Sequence, residues 1–216
     1  DIIEDCAAKG IRTVIVFSSG YAELGEDGRQ AQERLVEQAK RLGIRICGPN
    51  SMGTINLRTG LTATFSTVVE RSYRTGPIAL VSQSGMYAAY ILAQAGALDV
   101  GVGLFATTGN EGDIHLSEVL EHAVNDPETG AVLAYVEQVR DGDAFIQAAE
   151  TALEQDCPIV TIKVGRSDVG ARTAQSHTGA IAGSHDAYAA VFKQFGLIAV
   201  DTVDAMLDIA VAGRLN

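Results

Sequence analysis

The sequence predicts an α/β protein built around a doubly wound parallel sheet. Three observations carry this. Short apolar runs alternate with amphipathic stretches along nearly the whole chain. The run at 13–17 is β-branched and apolar, as a strand covered on both faces requires, and further short, mainly apolar runs lie at 78–81, 100–105, 131–136 and 159–164. Polar, Gly-rich turns follow most of them, the positions where such sheets place their ligands.

In chain order, residues 1–9 read as a helical stub ended by Gly10, and 13–17 as the first strand. Residues 26–42 place Ala31, Leu35, Ala39 and Leu42 among charges, an amphipathic helix stopped by Gly43. A short strand at 44–47 leads into the turn Gly48-Pro49-Asn50-Ser51-Met52-Gly53, in which Ser51 is read as turn chemistry. Residues 54–65 read as a hairpin around Arg58, Thr59 and Gly60. The polar stretch 66–76 marks a domain boundary.

Four β-then-α units follow: 78–81 with 86–95, 100–105 with 114–125, 131–137 with 143–155, and 159–164 with 185–195. A last strand at 197–200 leads into a helix at 202–214. Right-handed crossovers between these strands give a parallel, flavodoxin-like sheet.

Composition narrows the function classes. A net charge of −11 and a sequence pI near 4.7 argue against a nucleic-acid or anionic-membrane surface. No run of about 18 apolar residues is present. Cys6, Cys47 and Cys157 lack metal-ligand spacing, so buried, reduced thiols and a cytoplasmic protein are expected. No metal site is expected. The chain begins mid-pattern without Met, which predicts a fragment.

The strand ends supply the chemistry. Ser82, Gln83, Ser84 and Gly85 open a helix after 78–81, and a helix start with free N–H groups is an anion cradle. A second Gly-rich turn, TTGNEGD, spans 107–113. Glu137 ends the run 131–136, and the loop after 159–164 carries Lys163, Arg166, Arg172 and His177, flanked by Ser176, Thr178, Gly179 and Gly183. A carboxylate, cations, an imidazole and an anion cradle together suit a phosphate better than a flavin. His115, His122 and His185 fall on or at the starts of predicted helices and read as surface or capping residues.

GPNSMG, SQSG, TTGNEGD, the strand ending in Glu137 and KVGRSDVGARTAQSHTGAIAGSHDA, in this order, resemble the nucleoside-diphosphate-forming acyl-CoA synthetases, which include ADP-forming acetyl-CoA synthetase and succinyl-CoA synthetase. The resemblance implies that residues 1–66 are the C-terminal half of a CoA-binding Rossmann-like domain and 76–216 a flavodoxin-like CoA-ligase domain. It implies acid–thiol ligation: a carboxylic acid, CoA and ATP give acyl-CoA, ADP and phosphate, reversibly, through an acyl phosphate and phosphohistidine at His177. Glu137 would orient that histidine. Ser82, Gln83, Ser84, Gly85, Ser176, Thr178 and Gly179 would hold the phosphoryl group. Gly48, Pro49, Asn50, Gly109, Asn110 and Glu111 would lie near the CoA thioester or acyl group. ATP or ADP with Mg²⁺ would bind an ATP-grasp domain or subunit absent from this chain, in an oligomeric enzyme, leaving this fragment alone inactive. The alternative is a non-catalytic ligand-sensing module fused to a protein acyltransferase.

Overall fold

The computed structural model describes residues 2–165 and 185–212. Helix α1 (Ile2–Ala8) precedes strand β1 (Thr13–Ile15), a 3-10 turn (Ala22–Leu24), helix α2 (Glu26–Arg41) and strand β2 (Arg45–Cys47). β1 and β2 form a parallel two-stranded sheet in which Thr13, Val14 and Ile15 face Arg45, Ile46 and Cys47. Ile3, Ala39, Ile44 and Ile46 make its small core. Two expectations change here. β1 is only half covered, because among the described residues it pairs with β2 alone. The buried side of α2 runs through Gly28, Gln32, Val36 and Ala39, while Leu42 reaches solvent. The helix turns this stripe towards residues 111–113, and Gly112 packs against Gln32 and Val36.

The hairpin β3 (Gly53–Asn56) and β4 (Leu61–Thr64) forms as its turn residues predict. Its place is the finding: β3 bonds antiparallel to β6 (Val102–Thr107), so residues before 66 extend the larger sheet. Arg58 fixes it there. Its guanidinium donates to Asp126 and to the carbonyls of Gly76 and Glu128. It lies flat on Gly103, where an added Cβ would meet Arg58 Nε at 2.3 Å. Only glycine lets the guanidinium approach this closely.

The remaining elements are β5 (Ile78–Ser82), α3 (Gly85–Ala97), α4 (Leu116–Val124), β7 (Ala131–Val136), α5 (Gly142–Glu154), β8 (Ile159–Lys163), α6 (His185–Gln194), β9 (Ile198–Ala199) and α7 (Val203–Ala212). The seven-stranded sheet runs β4-β3-β6-β5-β7-β8-β9. Counted from β5, its parallel part has the order 2-1-3-4-5 of the flavodoxin-like fold.

Alternation along the strands divides the core into two layers. Leu80, Leu133 and Tyr135 face α3 and α7 with Ile91, Leu92, Met206 and Leu207. Ala79, Val81, Val132, Ala134 and Val136 face α4, α5 and α6 with Leu120, Phe145 and Phe192. Strands buried on both faces are mainly apolar, and the polar residues they do carry, Ser82, Thr107, Thr161 and Lys163, are themselves buried. Each such large side chain contributes roughly 1.5–3 kcal/mol of burial.

Candidate active site

The parallel register brings the strand ends together: Ser82 lies opposite Thr107 on one side and Tyr135 on the other, and Val136 opposite Lys163. After β5, the chain turns directly into α3. Ser84 is the N-cap, its hydroxyl accepting from Tyr87 N. Ser82 Oγ accepts from Ser84 N at 3.1 Å and donates to Ser84 O at 2.7 Å, closing the turn upon itself. The first-turn amides of α3 that follow have no intrahelical acceptor and carry the positive end of the helix dipole.

Gln83 turns the other way, to the end of β7. Its Oε1 accepts from Glu137 N at 2.6 Å and Gln138 N at 2.9 Å, and its Nε2 donates to Gln138 O at 2.6 Å. Its own N–H donates to Tyr135 O. From β8, Lys163 Nζ donates to Glu137 O at 2.8 Å and sits 4.5 Å from the centre of the Tyr188 ring. Burial lowers the Lys163 ammonium to about 8, although the nearby Glu137 charge opposes the change. Tyr188 Oη in turn accepts from Val139 N at 3.1 Å. Tyr87 stacks on the buried Tyr135 ring, with centroids 4.4 Å apart.

The turns after β2 and β6 interlock. Asn110 N donates to Pro49 O and Gly112 N to Gly48 O, each at 2.8 Å. Asn50 Nδ2 donates to Asn110 Oδ1 at 3.2 Å, and Asn110 Nδ2 reaches Glu23 and Gln32. Gly109 has φ +61, and a Cβ there would meet Pro49 O at 2.4 Å, so both conformation and contact require glycine. Beneath, Ser51 is more than a turn residue. Its buried hydroxyl donates to Thr107 O at 2.7 Å, and Gly53 N donates to both Ser51 Oγ and Thr107 Oγ1.

Glu111 is 3% exposed and holds the start of α4: its Oε1 accepts from Leu116 N at 2.7 Å and Thr108 Oγ1 at 2.9 Å. Its Oε2 lies 3.5 Å from Arg140 Nε. Burial raises this carboxyl to about 7, against the opposing pull of Gln83, the Leu116 amide, Thr108 and Arg140. A second ionic tie joins the two sheets, where Arg45 bonds Asp113 and Glu118, and Asp113 also accepts from Ile46 N.

Comparison with known proteins decides the lineage. Residues 75–212 match the family described as "Succinyl-CoA ligase like flavodoxin domain". The chain belongs to this family. The subunit alpha of ADP-forming acetate–CoA ligase II from Pyrococcus furiosus is 37% identical over 206 residues, covering 95% of this chain and 44% of the relative. The ADP-forming 4-hydroxybutyrate–CoA ligase of Nitrosopumilus maritimus is 35% identical, covering 98% of this chain and 30% of the relative. The solved dinucleotide-forming acetyl-coenzyme A synthetase 1 of Candidatus Korarchaeum cryptofilum, in complex with phosphate and ADP, superposes with TM-score 0.90 at 33% identity. That match covers 98% of this chain and 45% of the solved one. The chain thus spans less than half the length of each of these relatives.

Within this family member, Gly48, Pro49, Asn50, Gly109, Asn110 and Glu111 meet in one interlocked pair of turns. Ser82 to Gly85 meet the Glu137 segment through Gln83. Glu111 is buried beneath its turn and Gln83 is engaged with backbone. Arg166, Arg172, Ser176, His177, Thr178, Gly179 and Gly183 lie outside the described residues. All three cysteines are free, with Cys157 buried and Cys6 and Cys47 only partly so, which corrects the expectation of uniform burial. Cys47 Sγ donates to Thr107 O. Among the described residues no cluster of His, Cys, Asp and Glu could hold a metal, and no helix is long and apolar enough to cross a membrane.

Sequence reasoning missed Gln32, Arg140 and Tyr188, which hold the site turns from positions with no motif of their own. Gln32 carried a faint signal: a polar residue on the helix face that would otherwise pack.

Proposed function

We propose that this chain is the CoA-ligase module of a cytoplasmic ADP-forming acid–CoA ligase, which converts a carboxylic acid, CoA and ATP reversibly into acyl-CoA, ADP and phosphate. The observation that carries the reading is the junction of the Ser82–Gly85 helix start with the backbone of Glu137 through Gln83. It joins the start of α3 to the Glu137 segment at the carboxyl ends of adjacent strands, which supports phosphoryl transfer to an oriented imidazole.

In this reading an oxygen of phosphate attacks the thioester carbonyl. The C–O bond forms, the C–S bond breaks, and CoA leaves as the thiol. The neutral imidazole of His177 then attacks phosphorus, the bond to the acyl oxygen breaks, and the free carboxylate departs. Glu137 holds the opposite ring nitrogen, and the amides of the α3 start with Ser84 and residues 176, 178 and 179 receive the charge on the transferring group. The interlocked turns at 48–50 and 109–111 lie near the thioester. ADP and Mg²⁺ sit on an ATP-grasp domain or subunit, to which the phosphohistidine delivers its phosphoryl group.

The test is ADP release by the complete ligase, dependent on both CoA and a carboxylic acid, over acetate, 4-hydroxybutyrate and a hydroxycinnamate. ADP formation with one or more of these acids supports the reading. Thioester formation with AMP and pyrophosphate would refute it.

A further inference from the structure

The three residues after β7 are held from three directions. On one side, Gln83 accepts the N–H groups of Glu137 and Gln138 and donates to the Gln138 carbonyl. From the neighbouring strand β8, Lys163 donates to the Glu137 carbonyl. From α6, the Tyr188 hydroxyl accepts from Val139 N. Val164 N donates to Val136 O at 2.9 Å, so the strand pairing itself continues to the last residue before Glu137. A loop leaving a strand end normally satisfies such backbone groups with water. Here they are satisfied by side chains that are themselves mostly buried, Gln83 at 7% and Lys163 at 8% exposed.

The two buried side chains divide the work. Gln83 takes both peptide N–H groups that flank Glu137, which fixes the backbone torsions of that residue. Lys163 takes the carbonyl, and its ammonium lies over the Tyr188 ring. The buried Lys163 ammonium spends donors on the main-chain carbonyls of Glu137 and Val164, so it ties the ends of the two neighbouring strands together. The neighbouring Cα of Glu137 therefore has little freedom, and the direction in which its side chain leaves the sheet is set before any ligand arrives.

We infer that Gln83 and Lys163 are positioning residues for the phosphoryl-transfer step, holding the backbone of Glu137 so that its carboxylate leaves the sheet in a fixed direction. The inference rests on the proposed histidine chemistry. Gln83 then acts on the reaction through Glu137, not as a phosphate ligand. Misplacement of a catalytic group by about 1 Å costs up to about 100-fold in rate, and release of either clamp is expected to slow phosphorylation of His177 about 10- to 100-fold.

The experiment is rapid-quench labelling of the complete ligase with γ-labelled ATP and Mg²⁺, together with steady-state KM and kcat. In Gln83→Ala the labelling rate and kcat fall while KM for ATP is unchanged. Lys163→Met keeps an unbranched apolar side chain of similar length, loses the donors and the charge over the Tyr188 ring, and is also slowed; it carries the test if Gln83→Ala does not fold. A merely structural role would lower the melting temperature and leave the labelling rate per folded enzyme untouched. Wild-type label with wild-type rates in folded Gln83→Ala and Lys163→Met would overturn the inference and leave the histidine chemistry standing. Absence of label in the wild type would overturn both.

Discussion

Replacing Glu111 by glutamine removes a carboxyl whose burial carries it to about 7. In the unfolded chain this group loses its proton near its ordinary value of 4.5, while in the folded protein it keeps the proton to about 7. Between those values the folded state binds more protons, so the group's contribution to stability is complete below pH 4.5 and is lost as pH rises through 7. The interval, at about 1.4 kcal/mol per pH unit, amounts to about 3 kcal/mol. Glutamine keeps an oxygen for Leu116 N and the Thr108 hydroxyl but does not titrate. Urea unfolding of both proteins from pH 4 to 8 isolates the effect, because every other group titrates in both. The account predicts that Glu111→Gln gains about 3 kcal/mol on the wild type as pH rises across this window. Parallel stability curves would show that Glu111 is ionised in the fold and would refute the argument from burial.

Three further outcomes are expected. Arg58→Met strands Asp126 and the carbonyls of Gly76 and Glu128 at the hairpin's attachment, and should lower unfolding stability by about 3 kcal/mol; denaturation at neutral pH checks it. Ser51→Ala removes one of the two bonds at Thr107 O and at Gly53 N beneath the interlocked turns, a loss of about 1 kcal/mol with hydrogen exchange accelerated at Gly53. Leu80→Ala opens a cavity in the layer under α3 and α7 and should cost about 2–5 kcal/mol by the same unfolding measurement.

The sheet was legible because its central strands are buried on both faces, and an unbroken run such as that of β5 has few other readings. The ends of elements were legible where a residue has a local duty, as with Ser84 capping α3. The hairpin's own form could be read from Arg58, Thr59 and Gly60, but not its neighbour: pairing of β3 with β6 is set by Arg58 reaching Asp126, 68 residues away. The same holds at the site. The motifs marked where each strand end lies, while the bonds that join them cross long separations, 54 residues from Gln83 to Glu137 and 60 from Asn50 to Asn110. The periodicity of α2 found Leu35 and Ala39 against the small core but not Gln32, whose amide serves Asn110 instead of packing as an apolar side chain would.

The most direct test of the proposed chemistry is labelling of the complete ligase by γ-labelled ATP and Mg²⁺ with neither acid nor CoA present, beside the His177→Ala variant. The account predicts phosphate bound in an acid-labile, base-stable form in the wild type and none in the variant. Label that survives the substitution, or a wild type that takes up none, would contradict it.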